Sequence, residues 1–200
     1  KIGPGDVQWM TAASGLVHEE FHGRDFASQG GLFEMVQLWV NLPAKDKMVT
    51  PRYQGIVSSD IPSVELDGGA GSVRVIAGEF RDTKGPAMTY SPVNVLNLQL
   101  KEKKPVEFEV NEGFTRLLVV LKGQNTVNEN DVIDGAQVGL FERTGNTIQL
   151  QANTDTVALL LSGKPLDEPV VGYGPFVMNS TLEIHEALND YKNGKMGQLS

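Results

Sequence analysis

Short strand candidates, separated by turn residues at a spacing of roughly eight to twelve residues, follow one another from Gly68 onward. Gly-Gly, Asn-Glu-Gly, Asp-Gly and Thr-Gly-Asn stand between them, and these residues supply the positive φ angles or the side-chain hydrogen bonds of tight turns. This spacing is typical of an antiparallel sandwich or barrel, so we expect an all-β fold. The candidates are SVRVIAGEF, TYSPVNVLNLQL, VEFEVN, FTRLLVVLKG, TVNEND, QVGLFER, NTIQLQAN and TVALLLSG.

Two of these candidates contain continuous apolar runs, at positions 117–121 and 157–161. A strand that is covered on both faces has no polar side, and its sequence therefore lacks the usual alternation. We expect these two segments to be central strands of the core.

The hydrophobic period changes near the C-terminus, in NSTLEIHEALNDYKNGK. Its apolar residues recur at the spacing of one helical face. Ser180 and Glu183 fit a capping box at the start, and Gly194 stands where a helix would stop. The pattern predicts a helix whose apolar stripe docks on another element and whose His185 lies on the surface. The stripe consists of Ile184, Ala187, Leu188 and Tyr191.

A further strand candidate, LFEMVQLWVNLP at positions 32–43, lies in the part of the chain that precedes Gly68. Its β-branched and aromatic content predicts a mostly buried strand that Pro43 ends. Gln37 and Trp39 would lie on this strand, and we favour a core role for both. Positions 44–67 mix charge, proline and few apolar pairs, which predicts a connector with at most short strands. We place the domain boundary there.

Histidine chemistry in this sequence is confined to His18, His22 and His185, because the chain contains three histidines. If the segment LVHEE is an extended strand, the side chains of Leu16, His18 and Glu20 point to the same side. An imidazole beside a carboxylate supplies two ligands of a kind that suits non-haem iron, manganese or zinc. The alternative is a structural histidine at position 18 and a solvated glutamate at position 20.

The letters HEEFH, at positions 18–22, also match the H-E-x-x-H zinc motif of metalloproteases, in which two histidines bind zinc and the glutamate is the base. That motif requires a helix, whereas Gly15 and Gly23 flank it here and no apolar period surrounds it. A zinc protease is therefore disfavoured. Between Gly23 and Ile184 the sequence contains no histidine and no cysteine, so the β-rich body cannot carry a histidine metal site.

Several other classes of function lack a basis in the sequence. A net charge of −8 argues against direct nucleic-acid binding, which depends on lysine and arginine. No P-loop, dinucleotide fingerprint or nucleophile elbow is present, and the absence of cysteine removes thiolate chemistry. No apolar run approaches the length of a membrane span and no signal pattern begins the chain, so we expect a cytoplasmic protein, or a nuclear one in a eukaryote.

Motifs spread over nearly the whole chain, and in a fixed order, resemble the pirin family of the cupin superfamily. They are PGDVQWMTAASGLVHEE, VQLWVNLP, KMVTPRYQ, VRVIAGE and EPVVGYGPFVMN. The resemblance implies two cupin-type β-barrels followed by a C-terminal α-helix. It also implies a single iron site in the N-terminal barrel, held by an H-x-H pair and by a later histidine and glutamate. His18 and Glu20 match the last two ligands, and the C-terminal barrel of the family lacks a metal.

Two activities follow from this resemblance. One is a dioxygenase of the quercetin 2,3-dioxygenase type, which opens a flavonol with Fe(II) and O₂; in it, Glu20 is either a metal ligand or the catalytic base that takes the flavonol proton. The other is an iron-dependent interaction module that serves as a cofactor of transcription factors. The acidic charge of the chain is compatible with a basic protein partner.

The sequence departs from the family at its beginning, where the H-x-H pair is absent. The few strands expected there cannot close a barrel or cover their edges. We therefore expect a truncated chain: residues 1–55 would be the remainder of the N-terminal barrel with half of the metal site, residues 56–178 a complete C-terminal barrel without metal, and residues 179–200 the helix and tail. As written, such a chain would be an inactive fragment with an incomplete site.

Overall fold

Strands carry most of the regular structure of residues 1–199, which the computed structural model describes. The helices are α1 (Arg24–Gln29) and α2 (Thr181–Lys192). The strands are β1 (Val7–Thr11), β2 (Arg52–Ile56), β3 (Ser63–Glu65), β4 (Gly71–Ala77), β5 (Glu79–Phe80), β6 (Thr83–Lys84), β7 (Val93–Leu100), β8 (Pro105–Glu109), β9 (Thr115–Lys122), β10 (Gln124–Val127), β11 (Asp131–Asp134), β12 (Gln137–Phe141), β13 (Thr147–Ala152), β14 (Thr156–Gly163), β15 (Val171–Tyr173) and β16 (Phe176–Met178).

The chain divides into two compact units, each of which combines separate stretches of sequence. The first unit comprises residues 1–3, 8–54 and 166–199, and the second comprises residues 4–7 and 55–165. The first unit contains the three histidines, whereas the second contains most of the strands.

Two antiparallel sheets enclose the core of the second unit. The larger sheet has the strand order β12-β9-β14-β7-β4-β3, and the smaller one has the order β11-β10-β13-β8. In β8 and β13 buried residues alternate with more exposed ones, as expected of strands with one face toward a core. The fully buried apolar side chains include Val73, Val75, Leu98, Phe108, Leu118, Val120, Leu150 and Ala158.

The two apolar runs occupy the centre of the larger sheet, as predicted, but they differ in burial. In β14, which pairs with both β7 and β9, every residue from Ala158 to Leu161 is buried. In β9 only Leu118 and Val120 of the run are buried, and Leu121 is 38% exposed. The prediction of burial on both faces is therefore confirmed for β14 and wrong for β9.

The C-terminal helix forms where the 3.6-residue period predicts it. The Ser180 side chain accepts a hydrogen bond from the Glu183 backbone N–H at 3.3 Å, and the Glu183 carboxylate accepts one from the Asn179 backbone N–H at 3.0 Å. The first bond satisfies a backbone donor that the first turn of a helix leaves unpaired, and the second ties the residue before the N-cap to the same turn. Ile184 of the apolar stripe is buried, and His185 is exposed as predicted.

The segment at positions 32–43 is not a strand, and the prediction of a mostly buried strand there is wrong. Leu32 is 83% exposed and Trp39 is 64% exposed, and Gln37 is also exposed, so the core role favoured for the last two is wrong as well. A strand needs a partner strand and a covered face. Within residues 1–199 no strand pairs with this segment. The connector predicted for positions 44–67 does contain only short strands, β2 and β3.

No helix within residues 1–199 combines the length and the apolar character that crossing a membrane requires.

Candidate metal centre

His18 and Glu20 lie in an irregular segment between β1 and α1, and both side chains are exposed. The strand predicted for LVHEE does not form. Ala13 and Gly15 have φ angles of 44° and 113°, so the backbone turns before it reaches His18. No strand of the described residues pairs with the segment either. The interpretation of residues 18–22 as a zinc-binding helix is also ruled out, since α1 begins at Arg24.

The backbone that leads to His18 is nevertheless held in place. The Gly15 N–H donates to the Ala12 carbonyl at 2.8 Å, which closes a tight turn. The Ser14 N–H donates to the Val49 carbonyl at 3.1 Å, and the Val17 N–H donates to the Met196 carbonyl at 3.0 Å. Two distant parts of the first unit therefore anchor the four residues that precede His18.

His18 and Glu20 have the chemistry of metal ligands and are available to act as such. Across residues 1–199, no hydrogen bond or ion pair engages either side chain. An imidazole nitrogen and a carboxylate oxygen belong to the ligand set of non-haem iron. No group of three or more histidine, aspartate or glutamate side chains in the described part of the chain lies close enough to hold a metal ion. Each of the two side chains thus offers a suitable donor atom, but the strand that would place them on the same side does not form, and two donors alone do not complete a metal site.

His22 belongs to a small aromatic cluster. Its ring centroid lies 5.0 Å from that of Phe33 in an edge-on arrangement and 5.6 Å from that of Phe26. The two phenylalanine rings are 5.9 Å apart. Such contacts are typical of aromatic packing, so the structure gives His22 a packing role.

An open cleft of about 500 Å³ lies beside Val17, the residue that precedes His18. The end of α2 and the tail that follows it line the rest of this cleft, through Tyr191, Lys192, Asn193 and Leu199. The segment that carries the candidate ligands is therefore accessible to solvent on this side.

Lys47 is a buried ionisable residue that the sequence analysis did not identify. Its Nζ donates hydrogen bonds to the Asn41 side-chain oxygen at 2.7 Å and to the Val177 carbonyl at 3.1 Å. Burial lowers the pKa of the Lys47 ammonium group, and the nearby carboxylates of Glu168 and Glu183 partly oppose this shift. No sequence signal distinguishes it from an exposed lysine such as Lys45.

Lys47 makes the stability of the protein depend on pH in the alkaline range. Because its pKa is lower in the folded chain than the ordinary value of 10.5, the unfolded chain binds the proton more tightly. The free energy of unfolding is therefore expected to rise with pH between the lowered pKa and 10.5. Urea denaturation over this range should show the rise in wild type and its loss in Lys47→Met. Lys45→Met, which changes an exposed neighbour, should keep the wild-type slope; equal slopes in the wild type and Lys47→Met would contradict the assignment.

Two protein-family models match the chain. The model described as Pirin matches residues 1–40, and the model described as Pirin C-terminal cupin domain matches residues 95–197. The second match confirms the predicted cupin-type fold of the β-rich part.

Individual relatives match almost the whole chain. A candidate quercetin 2,3-dioxygenase of Pseudomonas aeruginosa is 52% identical over 195 residues, which cover 98% of this chain and 68% of the relative. Pirin of Rattus norvegicus is 36% identical over 98% of this chain and 67% of its own length. The crystal structure of quercetin 2,3-dioxygenase from Acinetobacter baumannii matches with a TM-score of 0.95 and 50% identity, over 100% of this chain and 69% of that one. The chain thus spans about two thirds of the length of these proteins.

Proposed function

This chain belongs to the pirin family, as its motifs predicted, and from that membership we propose that it is part of an oxidoreductase of the quercetin 2,3-dioxygenase type. The observation that carries the proposal is the identity of about one half, along the entire chain, with two proteins that bear this name. The proposed substrate is accordingly a flavonol, and O₂ is the second reactant.

We assign His18 and Glu20 to the metal ion of this protein, and we propose Fe(II) as the metal. The support is chemical: one nitrogen and one oxygen donor lie two residues apart in an exposed segment, and both are free of other partners within residues 1–199. The bound metal would supply open coordination positions that bring the flavonol and O₂ together and would polarise them, while the flavonol itself is the electron donor. Two donors do not complete such a site, and within residues 1–199 no group of three or more histidine, aspartate or glutamate side chains lies close enough to hold a metal ion.

Glu20 is the residue that we propose for proton transfer. A flavonol must lose a hydroxyl proton before its ring is oxidised, and an exposed carboxylate next to the metal can accept that proton. Glu20 would therefore act as the catalytic base when it is not a ligand. The neutral imidazole of His18 would hold the metal throughout, because a protonated imidazole has no free lone pair for coordination.

Oxygen consumption with quercetin tests the proposed activity. Full-length protein loaded with Fe(II) is expected to consume O₂ when quercetin is added, at a rate clearly above that of the same concentration of free Fe(II). His22→Ala, which changes the packing histidine, should retain this activity. A rate no higher than that of free iron would rule out the dioxygenase and would favour the alternative predicted from the sequence, an iron-dependent module that binds a protein such as a transcription factor.

A further inference from the structure

The tail that follows α2 has a defined path, which its glycines determine. Gly194 has a φ angle of 71°, and its N–H donates to the Tyr191 carbonyl at 3.0 Å. The Lys195 N–H donates to the Asp190 carbonyl, also at 3.0 Å. This pair of bonds is a Schellman motif, in which a residue with positive φ turns the chain back across the helix end. The Lys195 ammonium group also contacts the Asp190 carboxylate at 2.6 Å, which fixes the same turn from outside.

After this turn, Met196 lies against residues 15–17, which directly precede the candidate ligand His18. Met196 is only 9% exposed, although its neighbours on either side are exposed. Its carbonyl accepts the Val17 N–H at 3.0 Å, and its side chain lies against Gly15. A Cβ atom added at Gly15 would come within 2.5 Å of the Met196 sulfur, so the close contact requires glycine.

We propose that Met196 is a positioning residue for His18 and Glu20. It contacts the chain at Gly15 and at Val17, and His18 follows directly after the second contact. The inference rests on the proposed function insofar as His18 and Glu20 are ligands, but the contact itself exists without the metal.

The physical reason is the cost of ordering an exposed segment. His18 and Glu20 gain no order from side-chain bonds of their own within residues 1–199. Fixing the residues of a free chain in one conformation opposes binding through the loss of conformational entropy. Because Met196 orders the segment when the protein folds, less conformational entropy is lost when the metal binds. Removal of groups that orient metal ligands typically lowers metal affinity by about 10- to 100-fold.

Four variants of the full-length protein test the proposal. Met196→Ala removes the thioether but keeps the carbonyl group, and Met196→Leu keeps an apolar side chain of similar size. Gly15→Ala places a Cβ against the Met196 side chain and also strains the backbone, because the φ angle of Gly15 is 113°. Leu199→Ala is the matched control, because it truncates an exposed apolar side chain of the same tail. Hydrogen exchange of the amides at positions 14–18 measures the order of the segment, and titration with Fe(II) measures the affinity of the site.

We expect Met196→Ala and Gly15→Ala to accelerate exchange at positions 14–18 by about tenfold. The same two variants should lower Fe(II) affinity by about 10- to 100-fold and alter the EPR line shape of the ferric protein. Met196→Leu should stay within about threefold of the wild-type affinity, since volume-conserving apolar exchanges are tolerated. Leu199→Ala should resemble wild type in both measurements.

Unchanged exchange in both Met196→Ala and Gly15→Ala would overturn the proposal, as would faster exchange without any loss of Fe(II) affinity. A failure of the proposed function gives a different result. In that case wild type and His18→Ala would bind Fe(II) equally well, and the metal-positioning role would be lost with it. The exchange rates would still show whether Met196 holds the segment.

Discussion

Replacing His18 with alanine is expected to leave the full-length protein with about a tenth or less of the wild-type iron. The expectation follows from the proposed site, in which His18 is one of a small number of protein ligands. Even groups that merely orient a ligand change metal affinity by about 10- to 100-fold, and loss of the ligand itself should cost at least as much. Elemental analysis of protein purified under identical conditions measures the effect, and quercetin-dependent oxygen uptake should fall in parallel.

His22→Ala is the appropriate control for this experiment. His22 lies four residues away, on the same exposed segment, but its ring packs against Phe26 and Phe33. Its removal changes the histidine count equally and should leave the iron content near the wild-type value. Full iron occupancy in His18→Ala would show that the metal, if one binds, is held by other residues. Loss of iron in both variants would indicate that the segment, and not the imidazole at position 18, is what the site requires.

The β-rich second unit was predictable because its determinants are local. Turn residues recur between short apolar segments, and the alternation of apolar and polar residues in each strand indicates which face is buried. In β8, for example, Val106 and Phe108 are buried while Glu107 between them is exposed. Because side chains alternate between the two faces of a strand, this pattern alone predicts which residues are buried. The helix α2 was predictable for the same reason, since Ser180, Glu183 and Gly194 mark its ends within the sequence itself.

The N-terminal segments could not be predicted in this way, because a strand forms only when a second strand pairs with it through backbone hydrogen bonds. The apolar and β-branched content of positions 32–43 is that of a buried strand, yet Leu32 and Trp39 are exposed. Nothing in a single segment reports whether a partner strand and a covering layer are present. The strand predicted for LVHEE was wrong for the same reason, because none of the described strands pairs with residues 16–22. The proposed division into residues 1–55, 56–178 and 179–200 remains a prediction.

The candidate ligands could be identified from the sequence, whereas the residues that position them could not. His18 and Glu20 stood out because histidine is rare here and because the motif around them resembles a known family. Met196 carried no such signal: its role depends on a turn at Gly194 that directs it to a glycine near the opposite end of the chain. Lys47 was missed because lysine is usually exposed, and composition gives no warning of an exception.

Arg116 is the strongest exception of this kind, because it is a buried charged residue of the second unit. Its side chain is 1% exposed, although it begins as the second residue of β9. Its guanidinium group donates hydrogen bonds to five backbone carbonyls, at distances of 2.7 to 3.3 Å. These carbonyls belong to Asn111, Glu142, Arg143, Thr144 and Gly145. One arginine therefore fixes the loop between β12 and β13 to the residues that precede β9.

Arg116→Met is expected to destabilise the second unit by about 3–5 kcal/mol, the net contribution of roughly two hydrogen bonds to a charged group. The methionine side chain fills part of the space but donates no hydrogen bond, and hydrogen bonds to charged groups contribute about 1.5–3 kcal/mol each. Exposed loop carbonyls regain water when the arginine is lost, which keeps the total well below the sum over five bonds. Urea denaturation measures the loss, with unfolding followed by the circular dichroism signal of the β-strands. Tryptophan fluorescence would not report on the second unit, because both tryptophans, Trp9 and Trp39, lie in the first unit.

Arg143→Met provides the comparison, since it removes an exposed arginine from the loop that Arg116 holds. Surface substitutions of this type usually change stability by less than about 0.5 kcal/mol. Arg116→Lys should fall between the two, because an ammonium group retains the charge but offers three donors without the planar fork. If Arg116→Met were no less stable than Arg143→Met, the bonds to the carbonyls would do no more than offset the cost of burying the guanidinium group. The path of the loop would then have to be determined by its own turn residues.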